Sequence, residues 1–414
     1  MSGKLNVIVK YSQTGEVINV TPRTMNATIT EKIDAISTFS IGLQNLTHTH
    51  AFDDIDVRYD NKTIFKGVVE AQSDRIRGGR RFTSWKGRDY TVKLENRVVN
   101  KIYTNMTVEA IISDLLASYP CGVTGNNVKP TLRVVEQIRF PFISLLECIK
   151  QLADIVGWRW FIDANNDLHF FEKHEGTASL VFSTTTNGGL RRNILNDTIE
   201  MGAEMGDKMA NRVWVIGAKT AAKETRTQTF QTPGERIFKL GFTPRNYKVY
   251  KNGVKIADDK VRLDTPQNEA NSSTEILVNL ANQVIRIPDS KPALGTNDTL
   301  RIEYNPEIQI IDYFEDPSSV RKFGLYEKAI KDRQIIEKMA ARSRGRAELK
   351  RRNTALRTIQ FDTTEMNVQR GKRYHIVVPE LYVDSYWLCT GVITTIQAPD
   401  KVNVSKTVEF EEVS

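Results

Sequence analysis

Residues 140–173 read FPFISLLECIKQLADIVGWRWFIDANNDLHFFEK, and this stretch decides the fold of the middle of the chain. Its apolar residues first recur at helical spacing, and Gly157 then stands where many helices end in a left-handed residue. WRWFID and DLHFFEK follow with the alternation that is typical of strands, and the polar residues between them fit a turn. The stretch therefore predicts a helix followed by an aromatic hairpin.

The turn of this hairpin, DANND, has a second interpretation as a calcium loop. Asp163, Asn165 and Asp167 match the first three ligand positions of an EF-hand. The next position is Leu168, although the sharp turn of that loop needs glycine, and His174 stands where the loop needs glutamate. Strands rather than helices flank the loop, so the sequence favours a plain hairpin turn and we expect no cofactor here.

A second helix is predicted before this stretch. Residues 104–120, TNMTVEAIISDLLASYP, place apolar residues at helical spacing and end at Pro120. Two helices and a hairpin together predict an α/β domain over residues 99–175.

β-structure is predicted on both sides of this domain. Residues 1–98 contain six segments with period-two alternation, which favours a small barrel or sandwich. Similar patterns return at 176–225 and 306–414, where a long flanking helix is predicted over 324–353. Residues 226–305 repeat a strand–turn–strand pattern and form a predicted β insertion. The fold class is therefore α+β, mainly β, with a coarse duplication of the β unit.

The positive charge of the chain is concentrated in this long helix. The formal net charge is +8; residues 321–358 contain 13 Lys and Arg against 4 Asp and Glu, whereas the rest of the chain contains 45 against 46. No aromatic side chains are interleaved with the arginines, so a solvated face or an acidic neighbouring subunit is favoured over nucleic acid. The predicted inner face of the helix comprises Ile330, Ile335, Met339 and Ala347. The candidate contacts to phosphate or to an acidic partner are Arg342, Arg344, Arg346, Arg351 and Arg352.

Enzyme and metal signatures are weak. The sequence contains no G-x-S-x-G, P-loop, G-x-G-x-x-G after a strand, or H-E-x-x-H motif. Cys148 falls in an apolar helical stripe, which predicts an inert core thiol. His48 and His50, followed by Asp53 and Asp54, form a candidate metal site, although plain surface is favoured because transition metals usually need three or four converging ligands.

The composition also bears on compartment. The three cysteines are far apart and form no C-x-x-C, which disfavours a zinc site or a disulfide framework and favours folding in a reducing cytosol. No run approaches the roughly 20 apolar residues of a membrane span, and the first residues alternate like a strand rather than forming a signal peptide.

Several motifs, in order along the chain, resemble the tail hub (baseplate hub) proteins of long-tailed bacteriophages. GRDYTVKLENRVVNKIYTNMTVEAIISDLL, residues 87–116, is similar to the segment by which that family leaves its first β domain. The stretch at 140–173 resembles the family's second helix and hairpin, and YKVYKNGVKI resembles an insertion in some members. TIQFDTTEMNVQRGKRYHIV is similar to the closing β unit, with Gly371 kept and Asn367 where glycine is common.

This resemblance implies a non-enzymatic structural hub of a phage tail. Each subunit would supply two tube-like β barrels, residues 1–98 and residues 176–225 with 306–414, so that a homotrimer would cap a six-fold tail tube. The implied partners are the tail tube or distal tail protein, a tip, spike or fibre protein, and the tape-measure protein, around the channel for DNA ejection. The protein would be made in the host cytoplasm and reside in the virion. Two alternatives remain open: a tail-associated cell-wall hydrolase or peptidase, and a nucleic-acid-binding protein that uses helix 328–352.

Overall fold

The structure is a computed structural model, in which the chain forms two compact units. The large unit contains Met1–Trp214, Tyr313–Lys328 and Arg342–Ser414, and the small unit contains Val215–Asp312 and Ala329–Ala341. The structure describes residues 4–45, 53–195, 198–204, 209–333, 335–353, 356–398 and 402–412. Across those ranges, no helix has the length and apolar character needed to cross a membrane.

The alternating pattern of the first hundred residues produces seven strands, here called the first β module. Alternate side chains, among them Val7, Ile41 and Val57, are fully buried in one core around Trp85. The strands are β1 (Leu5–Lys10), β2 (Val17–Asn19), β3 (Thr24–Lys32), β4 (Thr38–Gln44), β5 (Asp54–Tyr59), β6 (Lys62–Arg77) and β7 (Arg80–Asp89).

The α/β domain follows, and both of its predicted helices are confirmed. Ser144 caps the second one by accepting a hydrogen bond from the Glu147 amide at 3.1 Å, and Gly157 ends it with φ 73°. The predicted hairpin is also confirmed, with Asn166 at φ 64° in its turn. The elements are α1 (Thr91–Glu95), β8 (Val98–Thr107), α2 (Val108–Ser118), β9 (Thr124–Val128), β10 (Val134–Ser144), α3 (Leu145–Val156), β11 (Arg159–Ile162) and β12 (Asp167–Phe171).

Two strands, β13 (Thr177–Ser183) and β14 (Glu200–Glu204), come next along the chain, before the small unit begins. That unit has its own core, which includes Phe238, Ile285 and Leu300, between a six-stranded and a four-stranded sheet. It contains the whole predicted insertion and extends beyond it on both sides. The elements along this part of the chain are β15 (Arg212–Ala221), β16 (Arg226–Phe230), β17 (Ile237–Lys239), β18 (Pro244–Lys251), β19 (Val254–Lys255), β20 (Val261–Leu263), α4 (Pro266–Glu269), β21 (Ile276–Asn279), β22 (Val284–Arg286), β23 (Leu300–Glu315), α5 (Pro317–Phe323) and β24 (Glu327–Lys331).

The long helix is shorter than the predicted 324–353, and of the four residues assigned to its inner face Ala347 lies on the helix and packs inward beside Gly157, whereas the others do not. Helix α6 spans Lys338–Arg352, while Ile330 lies in β24, which pairs with β15. The alternation of EKAIK fits a strand, and pairing with a neighbour outweighs its helical propensity. Met339 is 48% exposed, whereas Ala341 is fully buried.

The second β module consists of β13, β14 and the last four strands of the chain. Its core is separate from that of the first module and contains Phe182, Phe361, Trp387 and Phe410. The last strands are β25 (Leu356–Thr363), β26 (Arg373–Val378), β27 (Val383–Gln397) and β28 (Asn403–Glu412).

The strands of both predicted barrels belong to one 13-stranded sheet. Strand β27 joins the two modules, because its residues 391–397 pair antiparallel with residues 26–32 of β3. Among the described residues no sheet closes on itself, so two closed barrels remain a prediction.

Both modules use the same strand order. The first runs β3-β4-β7-β6-β5-β1, and the second runs β14-β25-β28-β27-β26-β13, with the strands taken from corresponding places along the chain. Corresponding strand pairs of the two modules are antiparallel, with one difference at the last pair of the order. There β1 is antiparallel to β5, whereas its counterpart β13 is parallel to β26. The coarse duplication seen in the sequence is therefore a repeated topology, and the small unit lies in the chain between β14 and β25.

Candidate functional site

Helix α6 carries the five candidate arginines, and two of them contact the α/β domain. Arg344 Nη2 lies 2.9 Å from Asp154 Oδ2, and Arg351 Nη1 lies 3.6 Å from the other oxygen of the same carboxylate. Lys350 extends this contact through Glu172 at 2.9 Å. One face of the basic helix is therefore neutralised by acidic residues of the same chain.

A third arginine belongs to a buried cluster around Glu348. Its carboxylate is 3% exposed and accepts from Lys328 Nζ at 2.6 Å and from Arg352 Nε at 2.5 Å. Burial acts to raise the pKa of Glu348, but the hydrogen bond from Lys328 and the two positive charges lower it to about 2. Arg352 is therefore held inside the large unit.

Arg342 and Arg346 are the exposed members of the set. They are four residues apart on α6 and so lie on the same face of the helix. Arg346 has no ion pair with any residue that the structure describes. Of the five candidates, these two have the exposed side chains, whereas the other three are partly buried.

A groove of about 720 Å³ lies beside α6 in the large unit. Its walls come from the end of α3, the aromatic hairpin, α6 and the last strands of the second module. Charges in the groove pair with each other: Arg159 contacts Asp34 at 2.6 Å and Glu411 at 2.5 Å, and Arg357 contacts Glu412 at 2.8 Å. These pairs connect elements of the fold, while the groove lining as a whole carries six basic and three acidic side chains.

The DANND turn uses its carboxylates to hold the backbone. Asp163 Oδ1 accepts from the amides of Asn165 and Asp167 at 2.8 and 2.9 Å. Asp167 in turn accepts from the amides of Asn126 and Asn127 at 2.9 and 3.0 Å, which connects the hairpin to β9. The described residues contain no group of His, Cys, Asp and Glu that could hold a metal ion. The carboxylates of Asp163 and Asp167, two of the three residues that suggested calcium, therefore accept hydrogen bonds from the backbone of the same chain.

His169, on the returning strand of the hairpin, lies between two carboxylates. Its Nδ1 is 2.7 Å from Glu175, its Nε2 is 3.5 Å from Asp163, and its ring stacks on Phe161 with centroids 4.4 Å apart. Burial acts to lower the pKa of His169, but the hydrogen bonds to the two carboxylates raise it to about 9. The imidazolium joins the turn to the segment that follows the hairpin.

The two remaining chemical hypotheses have different outcomes. Cys148 is confirmed as a core residue, because it is fully buried and burial raises the pKa of its thiol to about 12. His48 and His50 lie outside the described residues. Asp53 is 1% exposed and accepts from the amide of Ser12 at 2.9 Å.

Arg370 joins three parts of the large unit and had no signal in the sequence. Its guanidinium donates to Lys32 O at 2.8 Å and to Ile162 O at 2.6 Å, and it also donates to the Ser37 hydroxyl. The side chain is nearly buried, with its charge 4.6 Å from the centre of the Phe161 ring. The first module, the α/β domain and the closing β unit meet at this residue.

Among the described residues, the open strand edges of the large sheet include one in β6 and one at β14. Strand β5 pairs with β6 only as far as Val68, and the following residues 71–77 of β6 pair with β7 on one side alone. All of these residues are exposed, and Ile76 is 79% exposed. At the far end of the sheet, β14 has β25 as its single partner among the strands that the structure describes. Unpaired backbone groups on such edges are ready sites for strand pairing.

The fold places the chain beside known tail proteins. No family model matches it, and no curated protein sequence matches it. Among solved structures, it is similar to a 43 kDa tail protein of prophage MuSo2 from Shewanella oneidensis, with 10% identity, 98% of each chain covered and a TM-score of 0.60. A tail protein from Neisseria meningitidis MC58 gives 12% identity, coverage of 99% of this chain and 96% of that one, and a TM-score of 0.57. Prophage tail protein gp18 from Listeria monocytogenes EGD-e gives 11% identity, coverage of 98% of this chain and 94% of that one, and a TM-score of 0.53. The resemblance read from the sequence is confirmed in the fold, and the chain has the fold of phage tail proteins.

Proposed function

We propose that this chain is a structural hub of a phage tail tip or baseplate. It would form a homotrimer that caps the tail tube and links it to a tip, spike or fibre protein. The channel for DNA and the tape-measure protein would pass through the ring. The protein would be assembled into the virion after synthesis in the host cytoplasm.

The repeated strand order of the two β modules is the observation that supports this proposal most strongly. A three-fold object can match a six-fold tube when each subunit presents one interface twice. Two modules with the same topology in one sheet provide such a repeat. Three subunits would then carry six modules, and this is our reason for proposing pseudo-six-fold symmetry and two tube-like β domains per chain.

The exposed arginines of α6 fit a contact with an acidic tail partner. Arg342 and Arg346 are exposed on the same face of α6, and Arg346 has no ion pair with any residue that the structure describes. Replacing both with glutamine should weaken binding to the tail partner and make the remaining binding less sensitive to salt. Replacing Lys239 and Lys248, two exposed lysines of the small unit, with glutamine removes the same charge elsewhere and should leave binding unchanged.

The mass of the purified protein in solution tests the hub proposal. One chain has a mass of 47.1 kDa, so light scattering should give three times that value, alone or together with a tail partner. Antibody labelling of intact particles should place the chain at the distal end of the tail tube. A protein that stays monomeric and does not join tail tubes would contradict the proposal.

A further inference from the structure

Strands β6 and β27 occupy the same place in their modules and carry the same irregularity. Glu70 forms a bulge in β6, where Val69 and Ala71 face consecutive residues of β7. Thr390 forms a bulge in β27, where Cys389 and Gly391 face consecutive residues of β28. The two bulges align the strands residue by residue, so that residues 71–77 of β6 correspond to residues 391–397 of β27.

The corresponding halves of these strands differ in what they pair with. Residues 391–397 pair with β3 of the first module and so form the junction between the modules. Residues 71–77 are exposed and have no second partner among the described residues. The counterpart of β3 in the second module is β14, whose outer edge is also open in the described chain. Each subunit thus has one completed junction and the two separate halves of another.

We propose that residues 71–77 of one subunit pair antiparallel with residues 198–204 of a second copy of this chain. The pairing would repeat, between subunits, the junction that β27 and β3 make within one subunit. The inference rests on the proposed function, because it names the surface by which the hub assembles.

The internal junction fixes the register of this pairing. Ile29 of β3 faces Phe39 of β4, and Met201 of β14 faces Ile359 of β25. Phe39 and Ile359 in turn face equivalent residues of the strands that follow in the two modules, β7 and β28. Ile29 and Met201 therefore occupy corresponding positions. Thr394 faces Ile29 in the internal junction. The equivalent residue of β6, Asp74, would therefore face Met201 of the second copy.

The residues that follow in this register are chemically complementary. Arg75 would face Glu200, and both are exposed without an ion-pair partner in the described parts of the chain. Ile76 would face Ile199, which packs at the margin of the second module's core. The equivalent pair in the internal junction, Ile396 and Ala27, is fully buried. Opposite charges and apolar pairs across strands both stabilise antiparallel pairing.

The two edges lie at different places on the subunit, so the contact is head to tail. Such heterologous interfaces give a closed ring when the rotation between subunits returns to the start. With one internal junction per subunit, a ring of three has six junctions of the same kind. The β6 edge would be covered in this assembly and would no longer be available for unspecific strand pairing.

Disulfide cross-linking tests the register. Ser73 and Gly202 would face each other, and Gly202 has room for a side chain, because its nearest neighbour is the Thr358 hydroxyl at 3.4 Å from an added Cβ. In a Cys121→Ser background, oxidation of the Ser73→Cys/Gly202→Cys protein should give covalent trimers that separate on reduction. Facing residues have Cβ atoms about 4.5–5.5 Å apart, close to the geometry that a disulfide needs.

Two controls accompany the cross-link. Ser73→Cys combined with Glu200→Cys is two residues out of register and should cross-link poorly, because the Cβ separation rises to roughly 7 Å. Each single cysteine variant should give no covalent trimer.

Charge reversal provides a second test, which does not depend on oxidation. Arg75→Glu and Glu200→Arg should each weaken trimer formation by about threefold to tenfold per junction, and the double reversal should restore it. If the arginine only keeps an exposed edge soluble, reversal at Glu200 will leave the trimer unchanged, and the pairing is wrong.

The outcomes separate this inference from the hub proposal. A trimer by mass that fails to cross-link at Ser73 and Gly202 overturns the strand pairing and leaves the hub intact. Cross-linked assemblies of another size support the pairing and overturn the trimer. A monomer with no cross-link overturns both.

Discussion

Replacing Arg370 with methionine should locally open the place where three parts of the large unit meet. Methionine keeps much of the apolar stem but removes the donors to Lys32 O, Ile162 O and the Ser37 hydroxyl. Hydrogen bonds from a charged donor contribute about 1.5–3 kcal/mol each. The variant also no longer bears the cost of burying a guanidinium, which is several kcal/mol. The net loss should be about 3 kcal/mol, with two buried carbonyl groups left unpaired.

Native-state hydrogen exchange measures this loss where it occurs. The amides of Ile33 and Asp34 donate to Thr390 O at 2.9 Å and to Trp160 O at 2.8 Å, next to the arginine. A loss of about 3 kcal/mol should make both amides exchange roughly 100-fold faster. A global melting curve is less informative, because a chain with two units is not expected to unfold in one step.

The amide of Leu240 serves as an internal control. It donates to Gln283 O at 2.8 Å in the small unit and should keep its wild-type exchange rate. Arg346→Met provides a matched variant, because it makes the same substitution at an exposed position. The reasoning would be refuted if Arg370→Met changed exchange at Ile33 and Asp34 by less than threefold, or no more than Arg346→Met does.

Three further predictions concern the same region. Gly371→Ala should lower the free energy of unfolding of the large unit by about 1–3 kcal/mol, because the glycine has φ 80° and an added Cβ would lie 2.8 Å from the Phe161 ring. Denaturant titration would measure this loss, and an unchanged unfolding midpoint would contradict the prediction. His169 should contribute about 2–3 kcal/mol that is fully present below pH 6.5 and is lost as pH rises through about 9, since its pKa is raised in the folded state. Stability measured against pH should lose this slope in His169→Gln, and a slope that persists would assign the effect to another group. Calcium should leave the melting temperature unchanged and Asn166→Gly should be tolerated, since Asn166 already has φ 64°; a rise of several degrees with calcium would restore the ion-binding interpretation.

The two helices and the hairpin within residues 99–175 could be predicted from the sequence because their signals are local. The helical stripe around Cys148 and Leu152 is fully buried, and Gly157 has the left-handed conformation expected of a helix end. The alternation on either side of Asn166 predicted the hairpin. In each case the residues that determine the element lie within a few positions of one another.

The strands that join modules could not be predicted in this way. Neither β3 nor β14 has a run of alternating large apolar residues, and both are strands because distant segments pair with them. Residues 327–331 were assigned to a helix for the same reason, since only their partner strand decides against it. Arg370 has no local signature at all, because its three acceptors lie more than 200 residues away in the sequence. Long-range pairing decides these elements, and a single sequence does not display it.

The position of β28 in the large sheet has a consequence for biosynthesis. This strand, Asn403–Glu412, lies between β25 and β27, and β27 also supplies the partner of β3. During translation the first module, whose last strand ends at Asp89, therefore waits with one uncovered strand until residues 391–397 of β27 have left the ribosome. Chains interrupted before that point keep exposed edges of the kind that chaperones and proteases recognise. In the assembly that we propose, a product terminated before β28 is complete would lack the strand between β25 and β27 and would present an open edge to its neighbours.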